Sequence, residues 1–189
     1  MRPTLRTVAT ALSPAALVLA LALAVAPAQA QVVKPFKISG YGVGPTGLPL
    51  PGQPPRLHWV DGEATHLGRH HGEGTVRTLS ADVDLGAGVI TGRFGSGQPF
   101  VFTGANGHQL ACDYGDQGHG EFGVFQLTIL GFTGDGYLIV EALWLAEFVA
   151  KPAQSTGQFA GVTGSWIMVA RSRPFVLGSE LPVEYWWQG

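Results

Sequence analysis

The strongest local signal for the fold lies in residues 100–114, FVFTGANGHQLACDY. Two runs of alternating, largely apolar residues flank Asn106-Gly107, and Asn-Gly tolerates positive φ at both central positions of a two-residue type I′ turn. We therefore expect a β-hairpin with FVFT and QLACDY as its strands. Cys112 lies in the second strand and is expected to be a buried small hydrophobe rather than a nucleophile.

Strand-like patterns continue on both sides of this hairpin. The chain contains 28 glycines, and short runs of β-branched and aromatic residues between turn residues are typical of strands. A break is expected at His70–Gly74, and the Pro/Gly-rich segment 43–56 reads as an extended loop because proline cannot pair in a central strand. We predict strands at 36–41, 64–67, 75–79, 89–94, 100–103, 109–114, 121–130, 137–149, 161–170 and 183–187.

Many short strands joined by turns predict an all-β fold, and we expect a small closed antiparallel β-barrel of about eight strands because closure hides strand edges. A two-sheet β-sandwich is the alternative. We divide the chain into a signal peptide at 1–30, an N-terminal strand with its Pro/Gly-rich loop at 31–60, and a β-barrel domain at 61–189. In the last strand, alternation places Tyr185 and Trp187 on one side and Trp186 on the other, so at least one tryptophan should remain exposed.

The N-terminus has the pattern of an export signal. Arg2 and Arg6 precede an apolar run at 15–26, which is too short to span a bilayer but fits a signal h-region. Ala28-Gln29-Ala30 supplies the small residues of a cleavage site before Gln31. The mature chain is therefore expected in the periplasm or the medium, with no membrane anchor. The formal net charge of −2 is spread along the sequence, which gives no electrostatic footprint for nucleic acid.

Two stretches resemble known families. Residues 155–165, STGQFAGVTGS, resemble the "GGTGRFAGATG" signature of the allene oxide cyclase/dirigent barrel-like group, although Ser155 and Gln158 replace its usual Gly and Arg. Residues 62–69, GEATHLGR, and 102–107, FTGANG, are similar to a group of uncharacterised secreted bacterial proteins. These resemblances imply export and a barrel-like β fold. No catalytic residue of the allene oxide cyclase/dirigent group can be matched to a position here, and the secreted bacterial group implies no known activity.

The sequence lacks a catalytic signature. Gly95-Ser96-Gly97 and Gly164-Ser165 do not fit the Gly-x-Ser-x-Gly frame of a nucleophile elbow, and the 13 carboxylates are scattered without the pairing that glycosidases need. We assign no catalytic residue.

Metal sites are also not indicated. His66 and His70 on one strand would lie about 13 Å apart at about 3.3 Å per residue, too far for one zinc ion, and His71 would point to the other side. The segment 113–119 contains Asp and Gly but lacks the calcium-loop pattern, so turn formation explains it better. We expect neither a metal nor another cofactor.

Aromatic residues offer the most credible ligand contacts. We name His66, Trp144, Phe159 and Trp166 as candidate ligand-binding residues, with core packing as the competing interpretation of the aromatic ones and with His66 expected to be buried and hydrogen-bonded. The resulting hypothesis is an exported, non-enzymatic β-barrel protein that is structural or binds a small apolar ligand or a partner. The alternative is an enzyme or guiding protein similar to allene oxide cyclase and dirigent proteins, acting on a small hydrophobic substrate inside the barrel. An internal cavity with one or two polar groups would favour that alternative, and a barrel filled by its own side chains would favour the first hypothesis.

Overall fold

The structure is a computed structural model and describes residues 33–118, 120–179 and 181–189. The predicted signal peptide lies outside the described residues. No helix in the described ranges is long and apolar enough to cross a membrane. Residues 35–189 form one compact unit, which contains a short 3-10 helix at Gly157–Phe159 and the strands β1 Ile38–Gly44, β2 Arg56–Ala64, β3 Gly68–Asp84, β4 Val89–Gly95, β5 Phe100–Gly104, β6 Gln109–Tyr114, β7 Gly123–Phe132, β8 Leu138–Ala150, β9 Ser165–Ser172, β10 Phe175–Val176 and β11 Val183–Gln188.

The eleven strands form one antiparallel sheet, so the two-sheet sandwich is not the architecture. Eight of them close a ring of hydrogen bonds in the order β1–β2–β3–β5–β6–β8–β9–β11, with β11 pairing back to β1. The long strand β3 pairs with β5 through its first part and with β4 through its last part. The long strand β8 pairs with β7 through its first part and with β6 at its end. The ring is not evenly barrel-shaped, since β3 has 17 residues and β8 has 13, whereas β1 has 7 and β11 has 6.

Strand β3 corrects the sequence prediction around the histidines. The strand predicted at 75–79 is confirmed as part of β3, whereas the strand predicted at 64–67 and the break at 70–74 are wrong. Strand β2 ends at Ala64, the chain turns at 65–67, and β3 runs through 70–74. Gly72 and Gly74 are not turn residues: a Cβ on Gly74 would lie 2.3 Å from Cδ2 of Phe100, and one on Gly72 would lie 2.6 Å from Cε1 of the same ring. Glycine is needed here because the Phe100 ring occupies the space a side chain would take.

The Asn106-Gly107 hairpin is confirmed, but its turn differs from the expected type I′ geometry. The amide of Gly104 donates to the carbonyl of His108 at 2.9 Å, and the amide of Gly107 donates to the carbonyl of Gly104 at 2.8 Å. Gly107 has a φ of +78°, and His66 is the only described non-glycine residue with positive φ. One positive φ in a three-residue loop fits a type I turn followed by a bulge residue.

The strand predicted at 161–170 begins later than expected. Strand β9 spans Ser165–Ser172, and residues 161–164 belong to the connection before it. Gly161 and Gly164 have φ values of +78° and +130°, which are backbone conformations that suit glycine in turns. The glycines of the family-like stretch therefore shape a turn rather than a strand.

The C-terminal segment forms the closing strand, as predicted. Residues of β11 pair with both β1 and β9. Tyr185 and Trp187 are buried inside the ring, whereas Trp186 is 43 % exposed on the outside. The guanidinium of Arg173 lies 4.8 Å from the centroid of a Trp186 ring, which covers part of this exposed aromatic surface by a cation–π contact.

One part of the ring interior is filled by aromatic side chains. Phe102 is fully buried, and its ring centroid lies 5.7 Å from that of Phe148 and 5.9 Å from that of Trp187. Phe148 stacks on Trp166 with an interplanar angle of 10°. Cys112 is buried in the same core, where burial raises the pKa of its thiol, as expected for a packing residue.

Candidate functional site

The other part of the interior holds a partly enclosed cavity of about 120 Å³. Aromatic and aliphatic side chains from several strands line it, among them Phe94, Phe125, Trp144, Leu127 and Met168. A dry apolar cavity of about 150 Å³ is large enough to bind benzene. This space therefore suits a molecule of about one ring.

A chain of hydrogen bonds at this cavity fixes the positions of its protons. The hydroxyl of Tyr114 donates to the carbonyl of Thr75 at 2.6 Å, so its oxygen must accept from Nε2 of His58, which lies 2.6 Å away. With the ring proton on Nε2, Nδ1 of neutral His58 accepts the proton of Tyr185 at 2.9 Å. The oxygen of Tyr185, a lining residue, is left able to accept a hydrogen bond but not to donate another.

The electrostatics agree with this arrangement. Burial lowers the pKa of His58 from 6.5 to about 4, so the imidazole is neutral near pH 7. Burial also raises the pKa values of Tyr114 and Tyr185 well above the ordinary value. Three neutral polar groups therefore persist in an apolar setting because each satisfies the next. The remaining exposed surface of His58 faces the cavity that it lines.

The loop after β1 lies over the mouth of the cavity. Thr46 is only 4 % exposed, and its hydroxyl contacts the carbonyls of Ser179 and Leu181, the latter at 2.6 Å. The amide of Gly178 donates to the carbonyl of Thr46 at 2.7 Å. The Pro/Gly-rich loop is thus tied to the segment that precedes β11, and its residues Pro45, Gly47 and Pro49 line the cavity.

Arg56, the first residue of β2, also lines the cavity at this end. Among the described lining residues it is the only one with a charged side chain, since His58 is neutral and no aspartate or glutamate is present there. The site therefore combines apolar walls with an acceptor oxygen at Tyr185, the side chains of Thr46 and Thr78, and one cation at Arg56.

The residues named from the sequence do not form one site. Trp144 lines the cavity, with its ring centroid 5.6 Å from that of Tyr185. Trp166 packs on Phe148 in the filled part of the ring, and Phe159 is buried in the short 3-10 helix. Neither is among the described residues that line the cavity.

His66 differs most from its prediction. It was expected to be buried, but it is exposed in the turn between β2 and β3 with a φ of +69°. Its backbone carbonyl, not its imidazole, accepts a hydrogen bond from the side chain of Gln158. Its position in the sequence motif therefore reflects turn geometry.

The three residues of the hydrogen-bond chain, His58, Tyr114 and Tyr185, are not singled out from the sequence. Each lies at an inward position of its strand, two residues from an apolar inward neighbour: Val60 follows His58, and Val183 precedes Tyr185. A polar side chain in register with an apolar face is the signal that could have found them.

The histidine pair and the acidic segment have other structural roles. His70 is buried beside Phe102, whereas His71 is outside the ring, where it contacts Asp61 at 2.9 Å. Asp113 pairs with Lys151 at 2.6 Å, and Asp116 pairs with Arg93. In the described ranges, no group of three or more His, Cys, Asp or Glu is placed to hold a metal ion.

A larger depression lies along the outer face near β1, β2 and β11, with a volume of about 1030 Å³. Asp61, His71 and Trp186 are among its lining residues. It is wide and open to solvent, so a small molecule would bury little of its surface there. The partly enclosed cavity beside Tyr185 is the better candidate for a small-molecule site.

Comparisons with protein-family models, curated proteins and solved structures gave no match for this chain.

Proposed function

We propose that this protein is a small closed β-barrel, exported from the cytoplasm, that binds a small, mainly apolar molecule inside the barrel. The observation that carries the proposal is the partly enclosed cavity in which apolar walls surround the hydrogen-bond chain Tyr185–His58–Tyr114. Small-molecule sites commonly combine apolar walls with a few placed polar groups. The signal-like N-terminus supports export.

The polar chain also indicates which apolar ligands fit best. The proton of Tyr185 is committed to His58, so a ligand gains a hydrogen bond at the Tyr185 oxygen only if it brings its own donor. A ring carrying one hydroxyl or N–H group matches this requirement. The corresponding hydrocarbon would fill the same space without that hydrogen bond.

An NMR titration of the ¹⁵N-labelled protein with p-cresol and toluene tests the proposal. We expect both to shift the signals of Trp144 and of residues around Ala170 and Tyr185, with p-cresol binding about 3–10-fold more tightly because of one neutral hydrogen bond. No shift of the cavity signals with either compound, at concentrations near their solubility, would contradict the proposal.

Variants that fill the cavity provide the control. Ala170 is buried and lines the cavity, so Ala170→Leu should abolish binding of both compounds. Val169→Leu changes the adjacent residue, which is not among the residues lining this cavity, and should leave binding unchanged. If Ala170→Leu does not fold, Thr78→Leu fills the same space from β3. Undiminished binding in a folded cavity-filling variant would place the ligand elsewhere.

A guiding enzyme similar to allene oxide cyclase or dirigent proteins is the second candidate. The observation that favours it is a tyrosine–histidine pair at an apolar internal cavity. General acid–base catalysis works best with groups whose pKa lies near the working pH, whereas the pKa of His58 is about 4 and that of Tyr185 is raised. The pair is therefore better suited to holding a ligand than to exchanging protons, and binding is the function that we propose first.

A further inference from the structure

We infer that the ligand of this cavity is a small carboxylic acid, with its apolar body inside and its carboxylate at Arg56. The inference rests on the proposed function and adds the ligand's charge and orientation. A cavity with one cation and no acidic lining residue among those described has a positive potential at its mouth. An anionic group is the complement of that potential.

Arg56 has no ion-pair or hydrogen-bond partner for its side chain among the residues that the structure describes. Three other cations of the described chain have partners: Arg93 pairs with Asp116, Lys151 pairs with Asp113, and Arg173 lies over Trp186. No described residue forms an ion pair or side-chain hydrogen bond with Arg56, although the side chain is partly buried. A ligand carboxylate would give this guanidinium a charged acceptor that the described residues do not supply.

The position of the guanidinium depends on the missing side chain of Gly47. A Cβ on Gly47 would lie 1.8 Å from Nη1 and 2.9 Å from Cζ of Arg56. Gly47 lies in the loop that covers the cavity and does not have positive φ. Glycine at this position therefore makes room for the guanidinium at the mouth rather than serving a turn.

The chemistry of arginine favours a carboxylate. Its planar fork can donate two parallel hydrogen bonds to the two oxygens of one carboxylate. Arg56 also lines a shallower pocket on the outer side of the same loop, so the cation stands between the enclosed space and solvent. An acid bound there keeps its charge near water and places its apolar part against Phe125 and Trp144.

Isothermal titration calorimetry with 3-phenylpropionate and 3-phenylpropanamide at pH 7 tests the inference, because the pair shares one apolar body. We expect the acid to bind about tenfold more tightly than the amide, as for one charge-assisted interaction near the surface. This advantage should shrink as salt is added, because exposed charges are screened.

Three variants distinguish the effect of the Arg56 charge from the effect of the position of its guanidinium. Arg56→Gln removes the charge and should bring the acid to the affinity of the amide. Gly47→Ala keeps the charge but displaces the guanidinium, and it should reduce the preference for the acid at little change in thermal stability. Arg77→Gln alters an exposed arginine on the neighbouring strand that is not a lining residue of this cavity and should leave the preference intact.

The outcomes distinguish this inference from the function on which it depends. If the amide binds as tightly as the acid, or if Arg56→Gln retains the preference, the carboxylate assignment is wrong while apolar binding stands. If neither compound binds and p-cresol also fails, the proposed function is wrong. A preference for the acid that Arg56→Gln abolishes and Arg77→Gln preserves supports the inference.

Discussion

In both parts of the ring interior, the side chains of each strand alternate between inward and outward positions. One part is filled by its side chains, whereas the other contains a cavity. Around Phe100 and Phe102, inward glycines on β3 accept large rings, and the space is full. Around Trp144 and Tyr185, small side chains such as Ala170 leave a cavity of about 120 Å³. Tyr114 contacts both parts, since its ring lies 5.4 Å from that of Phe100 and it also lines the cavity. The same strand pattern can therefore build a packed core or a binding site, depending on whether the side chains that face each other inside the ring are large enough to fill the space between them.

The largest expected difference in stability comes from enlarging one inward-facing residue in each part of the ring interior. Gly74→Ala places a Cβ 2.3 Å from Phe100 and should lower the free energy of unfolding by about 2–3 kcal/mol through overpacking. Ala170→Val adds atoms to the cavity instead and should change this free energy by less than about 1 kcal/mol. Urea denaturation of the two variants measures the difference. Gly97→Ala, whose Cβ would contact nothing within 4 Å, is the control for the glycine replacement. Equal losses of unfolding free energy in Gly74→Ala and Ala170→Val would contradict the comparison.

The free energy of unfolding should depend on pH because of the buried His58 at the cavity. The unfolded chain binds a proton at this residue below pH 6.5, whereas the folded protein resists protonation until about pH 4. Stability is therefore unaffected by this group above pH 6.5 and falls as the pH decreases from 6.5 to 4, by up to about 3 kcal/mol. His58→Gln cannot titrate, so its free energy of unfolding should fall less over this range when both proteins are followed by urea denaturation. Parallel losses in the two proteins would show that His58 is not buried and neutral.

A smaller effect is expected from the hydroxyl groups of two tyrosines. Tyr185→Phe removes the hydrogen bond to Nδ1 of His58 and leaves that buried nitrogen without its donor, which should lower the free energy of unfolding by about 1–2 kcal/mol. Tyr41→Phe removes a long, exposed contact of 3.4 Å to Asp61 and should change it by less than about 0.5 kcal/mol. Thermal denaturation ranks the two variants. A larger loss for Tyr41→Phe would mean that the polar chain at the cavity is not formed as described.

The sequence predicted the antiparallel strands better than the places where they end. The Asn106-Gly107 hairpin follows from local turn chemistry, and the inward and outward faces of 183–187 follow from alternation along the strand, although the partner of this strand, β1, is far away in the sequence. The course of β3 through Gly72 and Gly74 depends on the Phe100 ring from another strand, so glycine was misread as a break. The same limit applies to the cavity. Trp144 could be proposed because it is a large aromatic residue. The hydrogen bonds between His58, Tyr114 and Tyr185 could not be predicted, because they depend on how three strands far apart in the sequence are placed next to each other.

A crystal of the protein under xenon pressure tests most directly whether the interior has an open part. Xenon occupies apolar cavities of this size and is located by its anomalous scattering. The account predicts a xenon atom inside the ring between Phe125, Trp144 and Met168, and none among Phe100, Phe102 and Phe148. An interior without xenon, or xenon only in the open depression beside Trp186, would contradict it.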